Sequence, residues 1–310
     1  MYGYLVKRVL WIPVLLAVIT FLVFVLGVYG PGDPVQLMLG QHANPETVVR
    51  LRHELGLDRP LMVQYTGYIS KFLQGDLGTS LKYRGQPVSR LIGRCLGVSA
   101  PLNAVALGWS IPLGVLLGIL AAYKENTPID RIIVLTVVVG ISMPVFAIAP
   151  ILLYFLAVKV HVLPPGGWDG IFSTKVILPA IVLGIGPLAV MVRQTRAAVL
   201  TTISEMYVTT ARAKGLLEGR IMFSHILPNA LIPVMTIVGL MLGSLVGGAF
   251  VTELLFGIPG CGQLALQVFT ARDYPMIMAF TILGALAFIV SNLLVDFLYF
   301  AIDPRIRRPQ

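Results

Sequence analysis

Six long apolar runs without any Asp, Glu, Lys or Arg decide what this chain can fold into. The runs cover residues 10–29, 98–123, 132–158, 176–192, 221–252 and 276–295. Each contains or approaches the roughly 20 residues that a helix needs to cross about 30 Å of hydrocarbon. With 57% hydrophobic and 12% charged residues among 310, the chain has too much apolar surface for a soluble domain. The sequence therefore predicts an all-α membrane protein with six transmembrane helices.

We expect a single transmembrane domain over residues 1–310. Its predicted parts are spans at 9–29, 98–122, 132–158, 176–199, 230–252 and 276–300, an outer helical segment at 30–97 and a cytoplasmic loop at 200–229. The first apolar run is too long for the core of a signal peptide and has no cleavage-site pattern after it, so we expect a retained span. In the outer segment, Asn44-Pro45 predicts the start of one helix and Gly56 its end, and a second helix is predicted from Pro60 to Gly75. These two helices are expected to cap the outer mouth, to receive a soluble partner, or to do both.

The basic residues predict that both termini lie in the cytoplasm. Twelve of them flank the inner ends of the spans, namely Lys7, Arg8, Lys124, Arg131, Arg193, Arg196, Arg212, Lys214, Arg220, Arg305, Arg307 and Arg308. The two short outer loops hold only three, Lys159, Lys175 and Arg272. Because cytoplasmic loops are enriched in Lys and Arg, this bias sets the orientation. The net charge of +9 is thus explained by topology and lipid contact, and we expect no nucleic-acid partner.

Cysteine, proline and glycine leave several structural alternatives open. Cys95 and Cys261 both fall on the predicted outer side, where a disulfide is chemically permitted, but they also suit the role of small apolar fillers. The spans contain prolines at 112, 144, 150, 179, 187 and 233, and broken membrane helices often line moving pathways. Gly239, Gly243 and Gly247 share one helix face, which permits close packing within the chain or at a dimer seam.

The sequence carries no recognised catalytic or nucleotide-binding motif. It has no GxxxxGK[ST], HExxH, GxSxG or GxGxxG pattern, so we expect no enzyme activity, metal or cofactor in this chain. Acidic and His residues are nearly absent from the span interiors, which argues against a stand-alone ion-coupled carrier. Asp296, at the inner end of the last span, is expected to bond a neighbouring helix.

A polar, basic segment at 205–234 interrupts the apolar pattern between the fourth and fifth spans. Residues 205–215 suit a short helix outside the bilayer, and Leu227-Pro228 begins the return into the membrane. Tyr207 and Ala211 would share one face of this helix, and Arg212 and Lys214 would lie on its other faces. Because Ala211, Ala213 and Gly215 are small, the groove of a partner protein could close around this helix.

The spacing Ala211-x3-Gly215-x11-Leu227-Pro228 resembles the cytoplasmic EAA loop of bacterial ABC importer permeases. Thr209 and Thr210 stand where Glu and Ala are usual, and His225 replaces an apolar residue, as in the peptide-importer branch of the family. Further family-like strings are PGDP at 31–34, LGLDRP at 55–60, GDLG at 75–78, LPA at 178–180, RDYP at 272–275 and DPR at 303–305. Together they resemble the B-type permease subunit of dipeptide and oligopeptide ABC importers.

The resemblance implies a type I ABC importer permease fold in the bacterial inner membrane, forming half of a pathway for dipeptides or short oligopeptides. It implies a homologous second permease, two cytoplasmic ATPase subunits that bind ATP and Mg, and an extracytoplasmic substrate-binding protein. The loop at 205–228 would dock in the ATPase, with Glu205, Tyr207, Ala211, Arg212, Lys214, Gly215, Leu227 and Pro228 as its coupling residues. The family also includes permeases for haem and nickel chelates, so the cargo stays open.

Glu253 and Asp273 flank the loop between the last two spans, which resembles the family's re-entrant segment near the pore mouth. Two roles remain open for them at this stage. They could contact the binding protein or the gate, or they could pair with groups nearby in the same chain.

Overall fold

The computed structural model describes residues 2–29, 35, 44–54, 56, 58–243 and 249–302, and for residues 2–9, 29, 51, 54 and 294–302 it describes the backbone alone. Outside these residues lie the turn cluster at 31–34, Gly247 and the basic tail at 305–308. The side chains of Lys7, Arg8 and Asp296 are likewise outside the description. The predictions that concern them therefore fall outside the described part of the chain.

Helices form nearly all of the described part of the chain. In order they are α1 Tyr2–Tyr29, α2 Pro45–Glu54, α3 Leu61–Leu73, α4 Val88–Tyr123, α5 Pro128–Ser142, α6 Val145–Leu153, α7 Ile177–Ile203, α8 Met206–Ala213, α9 Glu218–Ile221, α10 Leu227–Gly243, α11 Phe250–Leu255, α12 Cys261–Thr270 and α13 Tyr274–Ile302. Wider π-helical turns at Tyr154–Lys159 and Met222–Ile226 extend α6 and precede α10. Five helical runs are long and apolar enough to cross a bilayer, and the bent α5–α6 pair makes six if it counts as one span. The predicted all-α membrane class is confirmed.

The two helices predicted in the outer segment are present as α2 and α3. Asn44 accepts a hydrogen bond from the N–H of Glu46 at the start of α2, as its capping role predicts. Helix α3 packs on α1 through its aromatic side chains, with Tyr65 edge-on to Phe21 and Tyr68 against Phe24. Burial in these apolar surroundings raises the pKa of Tyr68 to about 12. The outer segment is therefore anchored to the first span.

Helices α4 and α7 pack most closely in the membrane, because glycines let their backbones approach. A Cβ at Gly114 would lie 2.5 Å from the Cβ of Met191, and one at Gly118 would lie 2.7 Å from the Cβ of Thr195. On the α7 side, Gly184 makes room for the ring of Trp109, whose indole N–H donates to the carbonyl of Ala180 at 3.1 Å. This pair forms the rigid centre around which the other helices are arranged.

The structure differs from the predicted spans in two places. The third predicted span, over 132–158, is broken at Pro144, one of the prolines noted in the sequence: the chain bends by 103° between α5 and α6, because Pro144 has no N–H to continue the helical ladder. In the fifth predicted span, over 230–252, α10 is described as far as Gly243, and Ala249 is not helical before the short helix that begins at Phe250. The apolar runs themselves show neither the angle of the bend nor the position of the break at Ala249.

The structure shows how the two cysteines and one of the aligned glycines pack within the chain. Cys95 near the start of α4 and Cys261 at the start of α12 form a disulfide, with their Cα atoms 4.7 Å apart. Gly243 faces α13, where a Cβ would lie 3.0 Å from the hydroxyl of Ser291. The close packing that the glycine spacing predicts is thus internal at this position.

Candidate functional site

The loop at 205–228 lies with one face of α8 buried against the rest of the chain. Val208 and Ala211 are buried in a core that also holds Ile221, Met222 and Ile226. The expectation that Ala211 enters a partner's groove is therefore corrected, since its methyl group is only 5% exposed and packs inward. Helix α8 is instead a platform whose opposite face points away from the core.

Gly215 ends α8 with a Schellman motif. Its φ is +74°, its N–H donates to the carbonyl of Arg212 at 2.9 Å, and the N–H of Leu216 donates to the carbonyl of Ala211 at 3.3 Å. Leu216 then packs against the buried core. A left-handed conformation is costly for residues with a Cβ, so the geometry gives Gly215 a role in terminating the helix.

Arg212 bonds a carboxylate of its own chain. Its Nε lies 2.8 Å from Oε1 of Glu218, and its Nη2 lies 3.4 Å from Oε2, with both side chains about half exposed. This pair links α8 to α9 across the turn. Arg212 is thus paired within its own chain in this structure.

The remaining predicted coupling residues lie on or near the loop surface. Glu205 is exposed at the position before α8, and Lys214 is exposed just after the helix. The Tyr207 hydroxyl lies 3.4 Å from the carbonyl of His225 and so connects α8 to the start of the return helix. Leu227 packs on the core, whereas Pro228 is exposed in the first turn of α10.

Sequence reasoning missed the most prominent feature of this surface, three large apolar side chains that face outward. Met206 is 85% exposed, Leu217 81% and Phe223 74%. They belong to α8, to the turn after it and to the π-helical turn before α10. The available signal was the presence of large apolar residues in an otherwise polar loop outside the bilayer, where exposed hydrophobic groups often mark a protein contact.

An ion pair joins the first turn of α5 to the C-terminal half of α7. Arg196 donates to both oxygens of Asp130 at 2.7 Å, and the Asn126 N–H adds a third hydrogen bond at 3.1 Å. Asp130 is 4% exposed. Sequence reasoning treated Arg196 only as an orientation signal and overlooked Asp130, because no spacing rule connects residues that lie on different helices.

Glu253, in the short helix α11, is fully buried and bound within its own chain. One carboxylate oxygen accepts from the Ser99 hydroxyl at 2.6 Å and from the Ala249 N–H at 3.1 Å. The other accepts from the N–H groups of Gly262 at 2.7 Å and Gln263 at 3.0 Å. Of the two roles left open, local pairing is what the structure shows, and a direct contact of this carboxylate with a partner does not fit zero exposure.

Asp273 is buried in the same way at the start of α13. Its carboxylate accepts hydrogen bonds from the Ser80 hydroxyl, from the Lys82 N–H at 3.1 Å and from the Met276 N–H at 3.4 Å. It therefore caps α13 and ties the turn at 79–87 to the last span. Of the two roles left open for Asp273, the structure shows local pairing, since this side chain is fully enclosed.

Comparison with known families gives a match over nearly the whole chain. The family described as "Binding-protein-dependent transport system inner membrane component" matches residues 114–308. Its companion, "Binding-prot-dependent transport system membrane comp, N-term", matches residues 1–104.

Curated relatives match at full length. The glutathione transport system permease protein GsiC of Salmonella typhi is 40% identical over 307 residues, which is 99% of each chain. GsiC of Escherichia coli (strain K12) is similar to the same extent and over the same coverage.

Solved structures share the fold. The inward-facing MetNI methionine ABC transporter matches with a TM-score of 0.57 and 19% identity, covering 69% of this chain and 97% of that one. An amino acid ABC transporter with histidines matches with a TM-score of 0.52 and 17% identity, covering 69% and 94%. At these identities the likeness concerns the fold alone.

Proposed function

Because the chain belongs to the family of binding-protein-dependent transport system inner membrane components and is a permease subunit of an ABC importer, we propose that its cargo is a dipeptide or a short oligopeptide. It forms half of the translocation pathway, and a homologous second permease forms the other half. Two cytoplasmic ATPase subunits bind ATP and Mg and perform hydrolysis. An extracytoplasmic binding protein delivers the cargo.

One observation carries the peptide assignment: the full-length similarity, at 40% identity, to permeases named for glutathione transport. Glutathione is a tripeptide, so its passage requires a pathway that accepts amide groups together with charged ends. The string TARAKG at 210–215 and the return motif at 225–233 support the same branch of the family. Haem and nickel chelates differ from peptides in shape and in polar groups, and no observation on this chain favours them.

Reconstitution of the complete importer tests the cargo. The chain would be placed in proteoliposomes with the permease, ATPases and binding protein encoded beside it. We expect ATP-dependent uptake of labelled dipeptides or tripeptides that an excess of unlabelled peptide abolishes. Uptake of haem or a nickel chelate by the same vesicles, without peptide uptake, would overturn the assignment.

We further propose that the loop at 205–228 docks in a cleft of an ATPase subunit through Met206, Leu217 and Phe223. Burial of exposed apolar area stabilises such a contact at about 25 cal/mol per Å². When ATP binding brings the two ATPase subunits together, the docked platform formed by α8 moves with them. This motion is passed on to the membrane helices, because Val208 and Ala211 fix α8 to the core of this chain. ATP must favour one of the two conformations for the cycle to proceed.

Charge substitutions on the outward face test this docking. Leu217→Asp is expected to reduce co-purification of the ATPase and cargo-stimulated hydrolysis at least tenfold, because an unpaired charge in an apolar contact is costly. Phe172→Asp is a matched control, since Phe172 is 98% exposed and lies outside this loop. Ala211→Asp is not a suitable probe, because it places the charge in the chain's own core. Normal ATPase binding by a well-expressed Leu217→Asp variant would exclude the proposed contact.

The orientation that we propose has both termini in the cytoplasm and α2–α3 on the opposite side. A single cysteine introduced at Val49, which is 69% exposed, is then accessible to an impermeant maleimide in intact cells. A cysteine at Glu125, which is exposed between α4 and α5 and lies outside the proposed ATPase contact, becomes accessible only after permeabilisation. The reverse pattern would invert the topology.

A further inference from the structure

The bend between α5 and α6 is a break in the helical backbone. Helix α5 ends at Ser142 and α6 begins at Val145, and their axes differ in direction by 103°. Met143 between them is extended, with φ −92° and ψ 120°. Pro144 follows, and its missing N–H and its ring prevent the helix from continuing.

Polar backbone groups on both sides of the bend lack partners. The N–H of Met143 bonds the carbonyl of Val139, but no backbone or side-chain group among the described residues donates to the carbonyls at 141–143. The N–H groups of Val145 and Phe146 likewise have no acceptor in that part of the chain. All six residues from 141 to 146 are exposed. The bend therefore presents acceptors and donors together.

These groups lie at membrane depth. Helix α5 rises about 22 Å over its 15 residues, at about 1.5 Å per residue. Its inner end is marked by the pair between Asp130 and Arg196, beside the basic residues Lys124 and Arg131. Since the hydrocarbon core is about 30 Å thick, the bend lies within it. Irregular backbone is tolerated at such depth only where it is buried in protein or lines a water-filled cavity.

We propose that the bend at 141–146 lines the aqueous cargo pathway and that its unpaired carbonyl and N–H groups bond the amide groups of a passing peptide. A dry contact with another subunit would have to supply three donors and two acceptors within a few residues. Water and peptide amides offer both kinds. Backbone groups bind independently of cargo side chains, which suits a pathway for varied sequences. The peptide part of this inference rests on the proposed function, whereas the water-lined position of the bend does not.

Thiol accessibility tests the position of the bend. Both native cysteines are held in the disulfide, so Met143→Cys introduces the one free thiol of the chain. In the assembled importer we expect this thiol to react with a charged, membrane-impermeant methanethiosulfonate. Its rate should change at least tenfold between the nucleotide-free and the vanadate-trapped states. Leu135→Cys is the control, since Leu135 is 65% exposed on α5 and we expect it to face lipid and to react only with a permeant maleimide.

Two results would overturn this position. Reaction of Met143→Cys with the permeant reagent alone would place the bend in lipid, and reaction with neither reagent would place it in a dry subunit contact. If the thiol reacts as expected but the reconstituted importer takes up no peptide, the cargo proposal fails and the water-lined bend stands.

Proline replacement tests whether transport needs the bend. Pro144→Ala restores an N–H and removes the ring, so α5 can extend, and we expect peptide uptake to fall at least tenfold with normal membrane insertion and ATPase binding. Pro150→Ala, inside α6, removes a proline from the same segment without a break and should retain uptake. Equal uptake by both variants would mean that the bend is dispensable for peptide passage.

Discussion

Glu253 supplies the N-terminal cap that the sequence of α12 lacks. The residue before this helix is Gly260, which has no side chain to accept from the first free N–H groups. The carboxylate of Glu253 accepts from Gly262 and Gln263 instead, where the positive end of the helix dipole favours a negative group. A Cβ at Gly260 would lie 2.4 Å from the Glu253 carboxyl carbon, so glycine is required for this approach.

Replacing Glu253 by Gln is expected to destabilise the subunit by about 1–3 kcal/mol, the usual cost of leaving buried hydrogen-bonding groups unsatisfied. Each carboxylate oxygen accepts two hydrogen bonds, and the amide NH2 of Gln would face two donors. Thermal unfolding in detergent, followed by thiol or intrinsic fluorescence, measures the shift. Glu218→Gln, at an exposed ion pair, is the control and should change stability little. An unchanged melting temperature for Glu253→Gln would show that the network is not structural.

Gly215 offers a second prediction at the residue scale. Gly215→Ala should destabilise the loop by about 1 kcal/mol, because a left-handed conformation is disfavoured once a Cβ is present. No atom lies within 4 Å of that Cβ position, so strain in φ and not a clash is the cause. Gly219→Ala is the matched control, with open space and no positive φ. The measurement is protection of the 205–228 loop from limited proteolysis, and greater cleavage of the Gly219 variant than of the Gly215 variant would contradict the explanation.

At the scale of elements, the sequence predicts what depends on local patterns. Charge-free runs locate the spans, and Asn44-Pro45 and Gly56 locate α2, because capping and hydrophobic length act through neighbouring residues. Interactions between distant residues leave no such pattern. Ser99 bonds Glu253, Asp273 bonds Ser80, and the inward direction of Ala211 depends on packing against α9 and α10. The sequence thus locates the coupling loop but not which of its side chains face outward.

The outer ends of α4 and α12 are joined by more than the disulfide. Ser99, one turn after Cys95, accepts from the N–H of Cys261 at 2.7 Å and donates to Glu253 at 2.6 Å. The bond from Cys261 joins the same two helices as the covalent link, and the bond to Glu253 joins α4 to α11 as well. The outer segment should therefore keep its fold when the disulfide is absent, while opening more often.

Replacing both cysteines by Ser is expected to leave the subunit inserted and to increase proteolytic cleavage near residues 255–260 several-fold. The disulfide prevents this segment from opening widely. The hydrogen bonds of Ser99 and Glu253 still favour the closed segment when the disulfide is absent, but they do not prevent it from opening. Limited proteolysis from the outer side of membrane vesicles measures the rate. Dithiothreitol should bring the unmodified protein to the same rate and leave the double variant unchanged. Complete loss of the folded outer segment would mean that the hydrogen bonds contribute little.

For the whole molecule, the six charge-free runs offer no fixed counter-charge at mid-membrane. Among the described spans, Asp130 and Arg196 form an ion pair near the proposed inner end. Their two charges bond each other and are not free to bind cargo. A peptide carries opposite charges at its two ends, and tight binding would require charged partners for them. The permease is therefore suited to weak, transient contact, and cargo selection is expected to reside in the binding protein.

The permease pair purified without its binding protein should show no high-affinity cargo binding by calorimetry. Exchange of the binding protein for one with another peptide preference should change which peptides are transported by the same permeases. Such a result follows from the lack of charged side chains in the apolar runs and from the proposed backbone contacts at 141–146, which bond any peptide about equally and favour none. If the isolated pair binds one ligand at micromolar affinity or better, about −8 kcal/mol, the membrane domain holds a dedicated site. Selectivity would then belong to the permeases themselves, and the neutral pathway would have to contain a charged or closely fitted pocket formed only when the two subunits assemble.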